Sequence, residues 1–394
     1  MQPHRRLAAV AVAAVALLLV PPAAATAEGK GAPPVQADSL RALGARQHLG
    51  IGTAVDDAHL GSDQPYTALV ADQFSAVTPE NAMKWESVEP TRGGYDWAAA
   101  DRLVRFARQH GQQVRGHTLL WHNQLPSWLT TGVGDGSIGK EQLREILHRH
   151  VTDEVTHFRG QIWQWDVANE VFANAWDPNP LPSGLNGDDF WIKNLGEGVV
   201  ADAFRWAHQA DPKALLLYND YNIAGQDGSN AKFAAVHAFF AGLRAQGVPV
   251  DGIGEQGHLD TQYGFDAERF QADLQSYADL GLKVAVTEAD VRTFVNNPTE
   301  QLPTSQLASF AQPFEFSAML KACQLVDQCL SFTAWGVYDG DSWIPGTFSG
   351  TGYGLLYDVA MQPKPAYYAL RQDLALAAGP AHHGANNQGS GPRQ

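Results

Sequence analysis

The chain has 394 residues and a formal net charge of −15, from 27 Lys and Arg against 42 Asp and Glu. This acidic balance argues against a nucleic acid or an anionic membrane as partner, since both need a basic surface. Hydrophobic residues make up 44 % of the chain and charged residues 18 %, which is ample material for a folded core. The length fits one large barrel domain with insertions.

The first 27 residues have the pattern of a secretory signal peptide. A basic start at His4, Arg5 and Arg6 precedes an apolar run over residues 7–20, which is too short to span a bilayer. Small residues then fit a cleavage site after Ala27. We therefore expect a secreted, extracellular protein without a membrane partner, and we expect a monomer. Residues 28–37 are rich in Gly, Pro and Ala and predict a flexible segment.

Strand-like and helix-like segments alternate across residues 38–376, which predicts one domain of the α/β class, a (β/α)8 TIM barrel. Apolar residues recur at helical spacing over residues 140–158, 230–246 and 267–280. A doubly wound sheet is the alternative, but the phosphate loop that it would want is missing: neither GxGxxG nor GxxxxGK[ST] occurs. Residues 377–394 predict a flexible tail. The strand candidates are 48–55, 74–79, 113–121, 162–170, 214–220, 252–259, 283–291 and 331–338.

Polar residues follow six of the eight strand candidates, at positions that a barrel would bring to one mouth. Among them, Glu170 ends the fourth candidate and Glu288 lies near the end of the seventh. A single Glu at a strand end is usually a solvated rim residue or half of an ion pair. Two that face each other across a barrel mouth fit the cleavage of a glycosidic bond. There, one carboxyl protonates the leaving oxygen and the other attacks or stabilises the sugar carbon.

Neighbouring residues sharpen this interpretation. Alternation along a strand predicts that Gln256 and His258 share one face of the sixth strand, and that Glu288 and Asp290 share one face of the seventh. His258 would then orient Glu288 and be held by Asp290. The alternative is a structural histidine in a polar core.

Other kinds of catalysis have less support. A metal site is not expected, because His117 and His122 point to opposite faces of a predicted strand and no HExxH motif occurs. No GxSxG motif supports a serine nucleophile, and no cofactor is expected.

The two cysteines, Cys323 and Cys329, lie in one segment. In a secreted chain a local disulfide is favoured over two buried free thiols. A loop this short gains little chain entropy, so the bridge would fix local geometry more than global stability.

Seven sequence blocks, in family order over about residues 40–375, resemble the signature blocks of family-10 glycoside hydrolases. Together they are highly specific, although any one alone would be weak. That family contains secreted endo-1,4-β-xylanases with a (β/α)8 barrel and a retaining mechanism, so the resemblance implies hydrolysis of internal bonds in xylan or xylo-oligosaccharides. The blocks are TPENAMKW (78–85), RGHTLLWH (115–122), WDVANE (165–170), YNDYN (218–222), GIGEQGHL (252–259), VTEAD (286–290) and TAWG with SW (333–336, 342–343).

The resemblance also implies roles for site residues. Glu170 matches the acid/base and Glu288 the nucleophile. Asn169 matches the residue that hydrogen-bonds the sugar 2-hydroxyl, and His258 and Asp290 match the pair that supports the nucleophile. The cysteine pair resembles a bridge found in many members. Substrate-binding positions are matched by Tyr221 on the leaving-group side and by Glu80, Asn81, Lys84, His117, Trp121, Gln124, Gln256, Trp335 and Trp343 on the glycone side.

The chain departs from the common family pattern at Ala82, Ala168, Ala289 and Glu255, which puts subsite preference in question but leaves both Glu in place. Two other functions stay open. A non-catalytic xylan-binding barrel would be expected to lose a catalytic Glu first. A barrel glycosidase that prefers β-glucan would differ only in the glycone pocket.

Overall fold

Ten strands occur in the computed structural model, which describes residues 35–225 and 231–377. They are β1 (Gly50–Val55), β2 (Ala76–Pro79), β3 (Gln113–Gly116), β4 (Gln164–Asn169), β5 (Leu215–Asp220), β6 (Gly252–Glu255), β7 (His258–Asp260), β8 (Lys283–Phe294), β9 (Cys329–Ala334) and β10 (Thr351–Gly352). Eight of them form a closed parallel barrel in the order β1-β2-β3-β4-β5-β6-β8-β9, and β9 pairs back with β1. The predicted (β/α)8 barrel is confirmed.

Helices surround this barrel. The helices predicted over 140–158, 230–246 and 267–280 are α6, α9 and α10, each within one residue at either end. The helices of the described residues are α1 (Leu40–Ala45), α2 (Gln64–Gln73), α3 (Trp85–Val88), α4 (Ala98–Gln109), α5 (Ser127–Gly134), α6 (Lys140–His157), α7 (Phe190–Leu195), α8 (Gly198–Ala210), α9 (Ala231–Ala245), α10 (Ala267–Asp279), α11 (Gln306–Gln324), α12 (Ile344–Thr347) and α13 (Pro365–Ala377), with a 3-10 helix at Asp339–Asp341.

Some predicted segments fall outside the described residues. The predicted signal peptide (1–27), residues 28–34 of the next segment and the tail beyond Ala377 are among them. Within the described ranges, no helix has both the length and the apolarity needed to cross a bilayer.

The core lies between the barrel and the helices, and its largest wholly buried side chains include Trp165 and Trp191. Trp165 of β4 packs directly on Gly116 at the end of β3, where any Cβ would overlap the indole. A glycine is therefore required at that position. Cys323 at the end of α11 and Cys329 at the start of β9 form the predicted disulfide.

The two ends of the described chain meet on the barrel face that lies away from the carboxyl ends of the strands. Asp38 forms an ion pair with Arg371 of α13. Gln47, which precedes β1, donates from Nε2 to the carbonyl of Leu374 over 2.6 Å. Because β1 starts and α13 ends at this face, α1 and α13 pack together there.

Three predicted strands extend several residues beyond the ends of the observed ones. The candidate over 331–338 ends as a strand at Ala334. The candidate over 113–121 ends as a strand at Gly116, and the chain meets β4 again at an isolated bridge between Leu120 and Ala168. The alternation that placed His117 and His122 on opposite strand faces therefore does not apply. The candidate over 252–259 divides into β6 and β7, because Gly257 has φ +80° and the Glu255 carboxylate accepts from its N–H over 3.2 Å. The prediction that Gln256 and His258 share one strand face was therefore wrong.

Candidate active site

A cleft of about 750 Å³ opens at the carboxyl ends of the barrel strands. Every residue predicted to bind substrate or react lines it, whereas Asp290 lies wholly buried behind His258. The lining residues are Glu80, Asn81, Lys84, His117, Trp121, Asn123, Gln124, Asn169, Glu170, Trp176, Tyr221, Asn222, Gln256, His258, Glu288, Arg292, Trp335, Trp343 and Phe348.

Glu288 of β8 is 4 % exposed and is held by groups from three other strands. Asn219 of β5 donates from Nδ2 to Oε1 over 2.7 Å, and its own Oδ1 accepts from the Thr287 hydroxyl over 2.6 Å. His258 of β7 places Nε2 at 3.3 Å from Oε2. Arg115 of β3 lies 3.7 Å from Oε1. The carboxylate is therefore fixed in one orientation at the floor of the cleft.

The charge of Glu288 follows from these neighbours. Burial is the largest single influence and opposes ionisation. The hydrogen bond from His258 and the electrostatic attraction of His117, His258 and Arg115 together outweigh burial and lower the pKa of Glu288 to about 2. Glu288 is therefore ionised at every pH well above 2. The ionised carboxylate is the state that a nucleophile needs.

His258 lies between two carboxylates. Its Nδ1 is 3.0 Å from Asp290 Oδ2, and its Nε2 faces Glu288. Burial would lower the pKa of His258, but the charge and hydrogen bond of Asp290 and then of Glu288 raise it to about 10. Trp343 completes the group, because its indole Nε1 donates to Asp290 Oδ2 over 2.9 Å and its ring centre is 5.1 Å from that of His258.

Glu170 follows β4 directly and has φ +56°, which turns it out of the strand and into the cleft. Trp121 donates from Nε1 to Glu170 Oε2 over 2.7 Å, and Gln256 donates from Nε2 to Oε1 over 2.8 Å. Both donors are neutral, in contrast with the cations around Glu288. Asn169 precedes Glu170 in the chain. The side-chain amide of Asn169 lies 2.8 Å from that of Asn219, which in turn contacts Glu288.

A buried cluster of charge lies beneath Glu288. Arg115 forms an ion pair with Asp166 of β4, and His117 Nδ1 lies 2.8 Å from the same carboxylate. His117, Asp166 and Glu288 are close enough together to ligate an ion. However, the guanidinium of Arg115 already supplies positive charge to both carboxylates. The group therefore has the chemistry of an ion-pair network.

The residues after β2 form one wall of the cleft. Lys84 donates from Nζ to Asn81 Oδ1 over 3.2 Å and lies 4.9 Å from the centre of the Trp121 ring. Gln124 donates to the same Asn81 oxygen over 3.1 Å. Trp335, which follows β9, is 7 % exposed and meets His117 edge to face. This wall combines hydrogen-bonding groups with indole rings, as sugar binding requires.

Glu80 lies beside a partly exposed group formed by Asp56, His59 and Asp341, which could itself hold an ion. His59 Nε2 is 3.5 Å from Asp341. Burial, with the nearby charge of Asp341, raises the pKa of Glu80 to about 7. At neutral pH Glu80 can therefore both donate to and accept from a sugar hydroxyl.

The opposite wall is built on β5. Tyr221 follows Asp220, and its ring centre lies 4.1 Å from Lys232 Nζ. Lys232 also pairs with Asp220 Oδ1 over 2.7 Å, and Asn174 donates from Nδ2 to the Tyr221 hydroxyl over 2.9 Å. Burial raises the pKa of Asp220 to about 6, while Lys232 opposes that rise. Tyr221 is therefore held rigidly at the cleft surface.

The departures from the family pattern lie around this site. Ala168 and Ala289 are fully buried, and Ala82 is 5 % exposed, so all three are packed in the interior and none lines the cleft. Glu255 is wholly buried and accepts from the Ile223 N–H over 3.0 Å as well as from Gly257. It ties the chain beyond β5 to the turn that carries Gln256 and His258.

Sequence reasoning missed several functional residues. Arg115 and Asn219 contact Glu288 and stand in two of the quoted motif blocks, so their positions at strand ends could have identified them. Asn123, Asn222, Arg292 and Phe348 also line the cleft. Trp176 lies in an irregular loop with no periodicity, and nothing in the sequence placed it near the two Glu.

A cleft at the carboxyl ends of a (β/α)8 barrel, with one Glu held ionised and a second held by neutral donors, is the arrangement of barrel glycoside hydrolases. The chain belongs to glycosyl hydrolase family 10, whose profile matches residues 39–373.

Known members of the family are similar over most of this chain. Endo-1,4-β-xylanase B of Thermotoga neapolitana is 36 % identical over 335 residues, which cover 84 % of this chain and 90 % of the relative. An endo-1,4-β-xylanase of Agaricus bisporus is 36 % identical over 321 residues, or 81 % and 89 % of the two chains. Xylanase 10B of Thermotoga petrophila, solved with xylobiose, superposes with a TM-score of 0.79 at 35 % identity and covers 88 % of this chain and 100 % of that one.

Proposed function

We propose that this protein hydrolyses internal β-1,4-xylosidic bonds of xylan with retention of configuration, with Glu170 as acid/base and Glu288 as nucleophile. The observation that carries the proposal is the contrast between the two carboxyls in one cleft. Glu288 is held ionised by His258 and Arg115, whereas Glu170 receives hydrogen bonds from the neutral donors of Trp121 and Gln256. The xylanases among the relatives support xylan as the substrate.

The reaction has two steps. Glu288 Oε2 or Oε1 attacks the anomeric carbon while Glu170 gives its proton to the departing oxygen, which leaves a glycosyl ester on Glu288 and an ionised Glu170. Glu170 then takes a proton from water, the water oxygen attacks the same carbon, and the ester bond to Glu288 breaks. Two inversions give net retention, and both carboxyls return to their starting states.

Endo action follows from the layout of the cleft. The wall built after β2 and β9 flanks β1, and Tyr221, directly after β5, lies on the other side, because β5 stands opposite β1 in the barrel order. A substrate that uses both walls must extend in both directions from the cleaved bond. Bonds inside a chain meet this condition.

Preference for xylose over glucose is assigned to two indoles. Trp335 and Trp343 line the glycone side, where they would stack on a xylose ring and occupy the space that the hydroxymethyl group of glucose needs. A steric filter of this kind is worth about 1–3 kcal/mol, roughly 10- to 200-fold in kcat/KM.

Three measurements test this function: sugar release from polysaccharides, the anomer of the first product, and kcat/KM on two aryl glycosides. Reducing-sugar release from xylan is compared with release from carboxymethyl-cellulose, and we expect clear preference for xylan. Proton NMR of the first product should show the β-anomer before mutarotation. Equal kcat/KM for aryl xylobioside and aryl cellobioside contradicts the assignment of xylan, and an α-anomer formed first contradicts retention.

We also propose that the protein is secreted after cleavage following Ala27 and acts as a monomer. N-terminal sequencing of protein from the culture medium should begin at Glu28, and light scattering should give the mass of one chain. Retention of the protein inside the cells, or a dimer mass, contradicts the corresponding proposal.

A further inference from the structure

Trp176 stands out among the residues of the cleft. Its side chain is 67 % exposed, although it lines the same cleft as Glu170 and Glu288. Within the described residues it makes no hydrogen bond and no ring contact, and it therefore presents a bare indole to solvent. An indole exposed at the border of a cleft offers a flat apolar face on which a sugar ring can stack.

The turn that carries Trp176 is well ordered by its own hydrogen bonds. Asn174 donates from its backbone N–H to Asp177 Oδ2 over 2.7 Å, and the Asp177 N–H donates back to the Asn174 carbonyl over 3.0 Å. Farther along, Ala173 N–H donates to the Gly184 carbonyl over 2.9 Å. The Trp176 backbone is therefore held in place before any substrate binds.

The same turn is tied to the wall that carries Tyr221. Asn174 donates to the Tyr221 hydroxyl over 2.9 Å and accepts from Lys232 Nζ over 2.9 Å. Lys232 covers one face of the Tyr221 ring. One polar network thus links Tyr221 to the turn that carries Trp176, and both aromatic residues line the cleft.

We propose that Trp176 forms a distal leaving-group-side subsite that stacks on a xylose ring beyond the one at Tyr221. Tyr221 adjoins Asp220 and lies two residues from Asn219, which contacts Glu288, so it serves the nearer sugar. Trp176 lies six residues beyond Glu170, in the loop that follows β4, and serves the sugar farther from the cleaved bond. The inference rests on the proposed function, and it makes Trp176 a determinant of chain-length preference.

The expected effect is confined to long substrates. For Trp176→Ala, kcat/KM for xylohexaose should fall about tenfold, mainly through KM, a loss that corresponds to about 1.4 kcal/mol. The bond-cleavage pattern of xylopentaose should also shift toward bonds that leave fewer sugars on the leaving-group side. Hydrolysis of an aryl xylobioside, whose leaving group does not reach Trp176, should change less than twofold. Trp176→Phe keeps a ring and should restore most of the affinity.

The matched control is Phe310→Ala, which removes a 73 % exposed ring on α11 that does not line the cleft, and it should alter neither substrate series. Thermal unfolding of each variant checks that the loop change leaves the fold intact. If the unmodified protein does not release sugar from xylan, the proposed function fails. If it does, but Trp176→Ala cleaves xylohexaose and xylopentaose as the unmodified protein does, or loses equal activity on the aryl xylobioside, the inference on Trp176 is overturned.

Discussion

Replacing His258 with Ala should lower kcat/KM, because His258 keeps Glu288 ionised and correctly oriented. The pKa of Glu288 lies at about 2, well below its ordinary value of 4.5. The hydrogen bond from His258 is the largest contribution that lowers it, and burial opposes it. A hydrogen bond to a charged group is worth about 1.5–3 kcal/mol, so loss of His258 should reduce kcat/KM by about 10- to 150-fold.

The pH profile separates this mechanism from simple damage to the site. Without His258 the burial of Glu288 is less well compensated, although Arg115 and His117 remain, so its pKa should rise by at least about one unit. The acidic limb of kcat/KM should shift upward by the same amount. His258→Gln keeps a donor without the charge and should fall between the two proteins.

Stability gives a second readout. A folded-state pKa of about 10 for His258 means that its contribution is complete below about pH 6.5 and is lost as the pH rises through 10. The contribution of Glu288 is present above about pH 4.5 and is lost as the pH falls through 2. Urea unfolding of His258→Ala should therefore lose the decline in stability between pH 6.5 and 10.

The control is His208→Ala, which removes an exposed histidine on α8. An unchanged acidic limb in His258→Ala, or a loss of activity as complete as that of Glu288→Ala, would refute the reasoning.

Three further predictions follow from the site and its supports. Glu288→Ala should abolish activity on all substrates, whereas Glu170→Ala should retain more activity on an aryl xyloside with a good leaving group, which needs no proton; equal losses would contradict these roles. Trp343→Ala should narrow the kcat/KM ratio between aryl xylobioside and aryl cellobioside, while Trp343→Phe should keep the ratio but lower kcat, because its bond to Asp290 is lost; an unchanged ratio in the Ala variant would exclude the steric filter. Lys364→Met should lower the free energy of unfolding by about 3–5 kcal/mol, since Asp339, 2.7 Å away and 1 % exposed, would remain buried without its cation; a loss below about 1 kcal/mol in a urea titration would contradict it.

The barrel could be predicted from the sequence because its strands and helices repeat a simple apolar periodicity. The carboxyl ends of parallel strands share one face, so the presence of Glu170 and Glu288 in one cleft followed from their positions at strand ends. The sequence did not predict where individual strands end or break. A single Gly257 with positive φ splits β6 from β7, and no periodicity reports such a break. His258 nonetheless faces both carboxylates, because β7 pairs in register with β8 through His258 and Asp290.

Residues that act through tertiary contacts were the hardest to find. Arg115 reaches Glu288 across the barrel interior, and only the closure of β3 with its neighbours brings them together. Trp176 depends on the hydrogen bonds of an irregular loop. The disulfide could be predicted because its two cysteines are close in sequence. The ion pair of Lys364 with Asp339 joins separate segments, and no sequence pattern indicates it.

Because the two ends of the described chain lie together, they determine how the protein would be oriented on a solid support or in a fusion protein. Asp38 and Arg371, and Gln47 with Leu374, join the ends on the face opposite the cleft. A support or fused domain linked near residue 36 or near residue 376 would therefore sit behind the barrel, with the cleft turned outward. Attachment at both points at once would also hold α1 and α13 together. A polysaccharide chain could still reach the cleft on the opposite face.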